Sequence, residues 1–129
     1  MCIRDSAYVT LRAGNECVSS VNRMDVIDLA DITQPVIRRT YSMLHPYGLS
    51  IRDSILYVCE GESGLKVFDA INALNPVHLK TLYDIHAWDV IAFNDLLMVI
   101  GEEGLNQYTV AGIDHIEKIS TLPVADISQ

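Results

Sequence analysis

Ile55–Asp69 reads ILYVCEGESGLKVFD: an apolar run, a turn holding two glycines, and a second apolar run closed by an aspartate. The β-branched and aromatic content of Ile55–Cys59 and Leu65–Asp69 favours strands. Gly61 and Gly64 are placed to supply the positive φ that a tight connection demands. Variants of this stretch stand on either side of it, so the chain is read outward from this hairpin.

Asp28 and Asp69 are 41 residues apart, as are Pro35 and Pro76, Thr40 and Thr81, His45 and His86, and Tyr47 and Trp88. After one deletion in a turn, Gly64 and Gly104, Thr81 and Thr121, and Leu82 and Leu122 stand 40 apart. Matches registered over two offsets mark an internal repeat. The middle copy offers four strand candidates: Gly48–Ile51, Ile55–Cys59, Leu65–Asp69 and Val77–Tyr83. The third offers Val90–Phe93, Leu96–Ile100, Leu105–Val110 and Ile116–Leu122. The first lacks an opening strand and offers Ala7–Arg12, Met24–Leu29 and Val36–Ser42. Arg52–Ser54 and Asn94–Asp95 are polar turns, and Gly101 and Gly104 match Gly61 and Gly64. Pro35 and Pro76 sit where a last strand begins, a position that tolerates proline. A helix over Asp25–Ile32 is the competing reading, cut short by Pro35.

Four antiparallel strands per unit of 40-odd residues is the signature of a β-propeller blade. The expectation is therefore an all-β chain: a partial β-propeller of about three four-stranded antiparallel blades in an open arc. The blades cover residues 7–43 (incomplete), 44–84 and 85–125. A closed propeller takes about four to eight blades, so the remaining blades belong to a longer chain, or the arc closes by self-association. Loss of blades is the favoured expectation. Residues 1–6, MCIRDS, look like a translated adapter scar of the kind found in environmental assemblies, and are set apart as a non-native leader.

Composition excludes several classes. Half of the residues are hydrophobic, which suits a packed core. Asp and Glu number 17 against 9 Lys and Arg, for a net charge of −8. The basic footprint needed for nucleic acid or an anionic membrane is missing beyond Arg38–Arg39. Leu96–Ile100 is far too short to span a bilayer. The three cysteines, Cys2, Cys17 and Cys59, form neither a CxxC pair nor a zinc spacing.

Tyr57-Val58, Gly64-Leu65-Lys66-Val67-Phe68-Asp69 and Asn75-Pro76-Val77 resemble the LVIVD repeat, whose blades carry a YV…GL.V.D…NPV pattern. Ala7-Tyr8-Val9, Val26-Ile27-Asp28 and Gln34-Pro35-Val36 match it in the first copy. The third copy keeps Gly104-Leu105 and lacks the closing aspartate and the proline. The resemblance implies a propeller of a bacterial cell-envelope protein, periplasmic or at the surface and often a lipoprotein, with no common catalytic reaction.

In a propeller the loop after the second strand shares one face with the loop joining successive blades. That face gathers His45, His86, Glu60, Glu62, Glu102, Glu103 and Asp84, with Arg12 and Arg23 nearby. One reading is a ligand or metal site at the channel mouth, histidine and carboxylate being suitable donors. The other is that His45 and His86 are repeat residues bonding to backbone and that the glutamates form a solvated acidic turn. Tyr47 and Trp88 share a repeat position and read either as inner-strand packing or as an aromatic wall facing a ligand. Cys17 and Cys59 fall near that face on adjacent blades. A disulfide between them would close a 42-residue loop and contribute on the order of 3–4 kcal/mol; the alternative is that Cys59 is a small buried hydrophobe.

No GxSxG, HExxH, phosphate loop, EF-hand or glycosylation sequon occurs. No catalytic residue, metal set or cofactor is assigned. The sequence points to a non-catalytic platform binding a protein or small-molecule ligand. The alternative is a propeller hydrolase or lyase with a metal- or His/carboxylate-based site at the channel mouth.

Overall fold

A computed structural model describes residues 2–3, 5–12, 22–112 and 115–123. Among these residues every regular element is a strand, and no helix is long and apolar enough to cross a membrane. The strands form three antiparallel four-stranded sheets, each in sequential order. The first holds β1 (Cys2–Ile3), β2 (Ser6–Leu11), β3 (Arg23–Asp28) and β4 (Val36–Ser42). The second holds β5 (Leu49–Arg52), β6 (Ile55–Cys59), β7 (Leu65–Asp69) and β8 (Val77–Leu82). The third holds β9 (Asp89–Phe93), β10 (Leu96–Gly101), β11 (Gly104–Gly112) and β12 (His115–Pro123).

Local chemistry explains the boundaries. Arg52 pairs with Ile55 across Asp53 and Ser54, both at positive φ (53° and 63°). That mirror-image turn matches the right-handed twist of the flanking strands. Asp28 and Asp69 end β3 and β7 in the same way: each carboxylate accepts the amide two residues on, Ala30 or Ile71, at 2.9 Å. This side-chain turn, together with Arg38, holds the Asp28 carboxyl below its ordinary range, the amide of Ala30 having the larger effect. The helix considered for Asp25–Ile32 does not form, because its first residues pair in a strand and Asp28 and Asp31 turn the chain before Pro35. Each sheet also carries a repeated irregularity between its third and fourth strands, at Val26/Ile27, Val67/Phe68 and Gln107/Tyr108, and the third sheet adds an unrepeated one at Val110/Gly112. The three repeated sites are 41 and then 40 residues apart.

Two expectations need correction. The first sheet has an opening strand. Cys2 and Ile3, inside the stretch set apart as a leader, pair with Ala7 and Ser6 and cover the open edge of β2. Gly61, Gly64 and Gly104 do adopt positive φ, but Gly101 does not. Gly101 answers a different demand, close approach: a Cβ there would lie 1.6 Å from the His86 carbonyl oxygen.

The core follows from strand alternation. In the second sheet, Leu56, Val58, Phe68 and Ala70 lie on one face and pack with Tyr8, Met24, Val26 and Met43 of the first-sheet segment. Tyr57, Cys59, Leu65 and Val67 lie on the other face and pack with Val90, Leu97, Val99 and Tyr108 of the third. The second sheet is thus covered on both sides, each fully buried Leu, Val or Phe contributing about 1.5–3 kcal/mol. Polar clasps align the layers. Tyr8 donates its hydroxyl hydrogen to the Ala73 carbonyl at 2.7 Å, Tyr41 donates to the Pro76 carbonyl, and the Ala92 amide donates to Ser50 Oγ at 3.2 Å. Burial, with Asp84 and Glu103 nearby, pushes the Tyr108 phenol up to about 12.

Candidate aromatic groove at the loop end

The connection after β6 and the segments joining one sheet to the next meet at one end of the molecule, as the sequence suggests. The Tyr47 amide donates to the Cys59 carbonyl at 2.8 Å. Gly61 and Ala87 exchange two backbone hydrogen bonds, at 2.9 and 3.1 Å. The Trp88 amide donates to the Ile100 carbonyl at 2.7 Å. These bonds fix residues 43–48 and 84–88 against the ends of β6 and β10, so the side chains they carry are held by backbone rather than by loop packing alone.

Glu60 departs from the solvated-turn reading. It is fully buried, and Oε1 accepts the amides of Leu44 at 2.9 Å and His45 at 2.8 Å. Lys66 Nζ approaches Oε2 at 2.8 Å from the neighbouring strand. That oxygen has no hydrogen bond of good geometry, so the contact is an ion pair held by charge. Glu60 therefore ties β6, β7 and the sheet-joining segment together. Glu62, Glu102 and Glu103 are exposed, as an acidic turn requires.

The histidines diverge. His45 is exposed, with its backbone on Glu60. His86 is partly covered, its ring edge-on to Trp88 with centroids 5.2 Å apart. Its Nε2 lies 3.9 Å from Glu102 Oε1, beyond hydrogen-bond reach, and its buried Nδ1 has no partner, so the backbone bond expected of a repeat histidine is not made there. Among the described residues no three His, Cys, Asp or Glu side chains converge as a metal site.

Tyr47 and Trp88 are brought together. They line a groove of ≈ 540 Å³ with Thr10, Arg12, Pro46 and Asp89. The Arg12 guanidinium lies 4.2 Å over the Tyr47 ring, a cation–π contact that leaves its donors at the groove. Thr10 Oγ1 donates to the Tyr47 carbonyl at 2.8 Å, fixing β2 to the segment before β5. Asp89 accepts its neighbour Val90's amide at 2.9 Å and lies directly against Gly48. Trp88 is 43% exposed, too open for a ring whose purpose is packing. The packing reading fits Tyr47, which is partly buried against the core between the second and third sheets, and does not fit the Trp88 ring.

Sequence reasoning put Arg12 only near the site and passed over Thr10 and Asp89. One signal was available for Asp89: the repeat sets Gly48 opposite it, so the position departs from the pattern. Cys59 is buried, and burial first, then the Asp89 charge, pushes its thiol far above the usual range, which removes it as a nucleophile. Cys17, and with it the expected disulfide to Cys59, lies outside the described residues. No family model matches the chain, and no curated protein is significantly similar to it.

Proposed function

We propose that the chain is a non-catalytic recognition module: an arc of three β-propeller blades of LVIVD-repeat type, from a bacterial cell-envelope protein, whose loop end binds a ligand. The blade reading is supported by three sequential four-stranded sheets with the second covered on both faces. In that reading, further sheets of the same kind complete the ring.

The observation that carries the binding reading is the groove between Tyr47 and Trp88, with Arg12 and Asp89 on its rim. Two rings, a cation and an anion around an open cleft suit a ligand with a flat apolar face and polar edges, such as a glycan or a peptide side chain. The enzyme alternative finds less support: Cys59 is a buried thiol, and the His86–Glu102 pair is separated by 3.9 Å.

Trp88 is the sole tryptophan of the sequence, so its fluorescence reports the groove directly. Titration with peptidoglycan fragments and with short peptides is expected to produce a saturable change for one class. Arg12→Ala is expected to weaken that binding about tenfold or more, in line with loss of an anchoring contact of about 1.4 kcal/mol. A change that Arg12→Ala leaves untouched, or hydrolysis abolished by His86→Ala, would sink the reading.

A further inference from the structure

A second cleft lies between the second and third sheets, at the end away from Trp88, and it is built on a tyrosine that departs from its repeat. Tyr8 and Tyr57 hold the same register position, opposite the repeat partners Val26 and Val67. Tyr8 donates its hydroxyl hydrogen to the Ala73 carbonyl, in the connection between β7 and β8. Seven residues, 70–76, make that connection, whereas two, 113–114, separate β11 from β12. Among the described residues nothing takes the place of that carbonyl for Tyr57. Its hydroxyl makes no hydrogen bond there, although the residue is only 3% exposed. A buried hydroxyl without a protein partner is a polar group waiting for one.

Tyr57 lines a cleft of ≈ 360 Å³ framed by the β5–β6 turn, the β9–β10 turn and the end of β11. That volume is enough for a small molecule. Ile55 and Val110, both packed on the core, form its apolar wall. The Val110 amide donates to the Asp95 carbonyl at 2.9 Å, which holds the wall to the rim. The rim carries Arg52, Asp53 and Asp95, two carboxylates against one guanidinium. Arg52 turns to its neighbours: Nη2 donates to Asn94 Oδ1 at 3.3 Å, and Nε lies 3.7 Å from Asp53 Oδ2. What is left toward the cleft is rich in acceptors. Burial first, then the Asp53 charge, raises the Tyr57 phenol above its ordinary range. The hydroxyl oxygen therefore sits in a negative field, which favours a positive donor. Two carboxylates fall short of the donor set a divalent cation needs, in keeping with the lack of a metal cluster among the described residues.

We propose that this cleft binds a primary ammonium group carried on a short alkyl stem. The stem lies against Ile55 and Val110, and the ammonium hydrogens go to Tyr57 Oη and to the Asp53 and Asp95 carboxylates. An ammonium group has three donors and no acceptor, which matches one phenol oxygen and two carboxylates. Such a group comes as a free amine or as a lysine side chain, and the same acceptors serve both. The cleft sits at the opposite end of β6 from the Tyr47–Trp88 groove, so it stands apart from the recognition reading above.

The test is an amide chemical-shift titration of the chain with butylammonium, butanol and butyrate. Butylammonium is expected to shift the amides of Ile55, Asn94 and Ala111 saturably and to leave those of Gly48 and Trp88 in place. Butanol and butyrate are expected to act far more weakly. Tyr57→Phe should weaken butylammonium binding about tenfold, because a hydrogen bond to a charged group is lost. Its urea midpoint should match that of wild type, because the hydroxyl has no protein partner to lose. Arg52→Gln should strengthen binding about two- to fivefold, and Asp95→Asn should weaken it by a similar factor. Asp95→Asn carries the test if Tyr57→Phe does not fold. Equal shifts from Nα-acetyl-lysine amide identify a lysine side chain as the occupant, and shifts from butylammonium alone identify a free amine; either supports the proposal. No saturable shift, an equal response to butanol or butyrate, a Tyr57→Phe chain that binds as wild type does, or an Arg52→Gln chain that binds more weakly overturns it.

Discussion

Glu60→Ala is expected to lower unfolding free energy by about 3–5 kcal/mol, measured by urea denaturation. The carboxylate is fully buried and accepts two consecutive amides, from Leu44 and His45, while Lys66 approaches from β7. Truncation leaves a cavity beneath two part-buried amide donors that lose their acceptor, and an ammonium group without its counter-charge. Glu60→Gln retains an acceptor for both amides and is expected to cost less, because the Lys66 side chain, 22% exposed, has a path to water. Lys66→Met is the complementary change: it strands the carboxylate in the core. Glu60→Gln combined with Lys66→Met is expected to fall well short of the sum of the single effects, since the two residues share one contact. A Glu60→Ala chain within about 1 kcal/mol of wild type would mean that Glu60 is solvated after all. The same variant loosens residues 43–48, so ligand response at Trp88 should weaken with it.

Gly101→Ala is the second large effect. The added methyl would lie 1.6 Å from the His86 carbonyl oxygen and 2.7 Å from its carbon. Both are backbone atoms, and they cannot move aside as a side-chain tip would. The neighbouring Ile100 carbonyl accepts from Trp88, and Ala87 bonds to Gly61, so displacement of residues 86–88 pulls on two sheets at once. A loss of about 3 kcal/mol is expected, at the upper end of overpacking effects. Gly112→Ala is the control, because a Cβ there meets nothing within 4 Å. It should be neutral within about 0.5 kcal/mol. Equal thermal midpoints for the two variants would contradict the close approach at Gly101.

Most of the strand layout was legible because its determinants are local. Ile55–Cys59, Leu65–Asp69 and Val36–Ser42 form with the boundaries the sequence suggests, each set by turn residues within a few positions. The opening strand of the first sheet was not legible: two residues carry no period, and they pair only because the edge of β2 is open. Glu60 misled for a related reason. Its acidic, glycine-bearing surroundings describe a solvated turn, and only the approach of Lys66 and of the 43–45 backbone makes burial affordable. The groove was half legible. Tyr47 and Trp88 share a repeat position, but the cation over one ring comes from β2 of a different sheet, a contact that no spacing along the chain reveals.

The second sheet is clamped between two others, while the fourth strand of each sheet lies toward solvent. Amide hydrogen exchange tests it residue by residue. Amides of Leu56–Cys59 and Leu65–Phe68 should be the slowest in the chain, since these strands are paired on both sides and covered on both faces. Those of Ile37–Thr40 and Glu117–Ser120, on exposed edge strands, should exchange much faster. Protection in β6 and β7 no greater than in β4 and β12 would contradict the stacked arrangement, and with it the groove that the stack holds open.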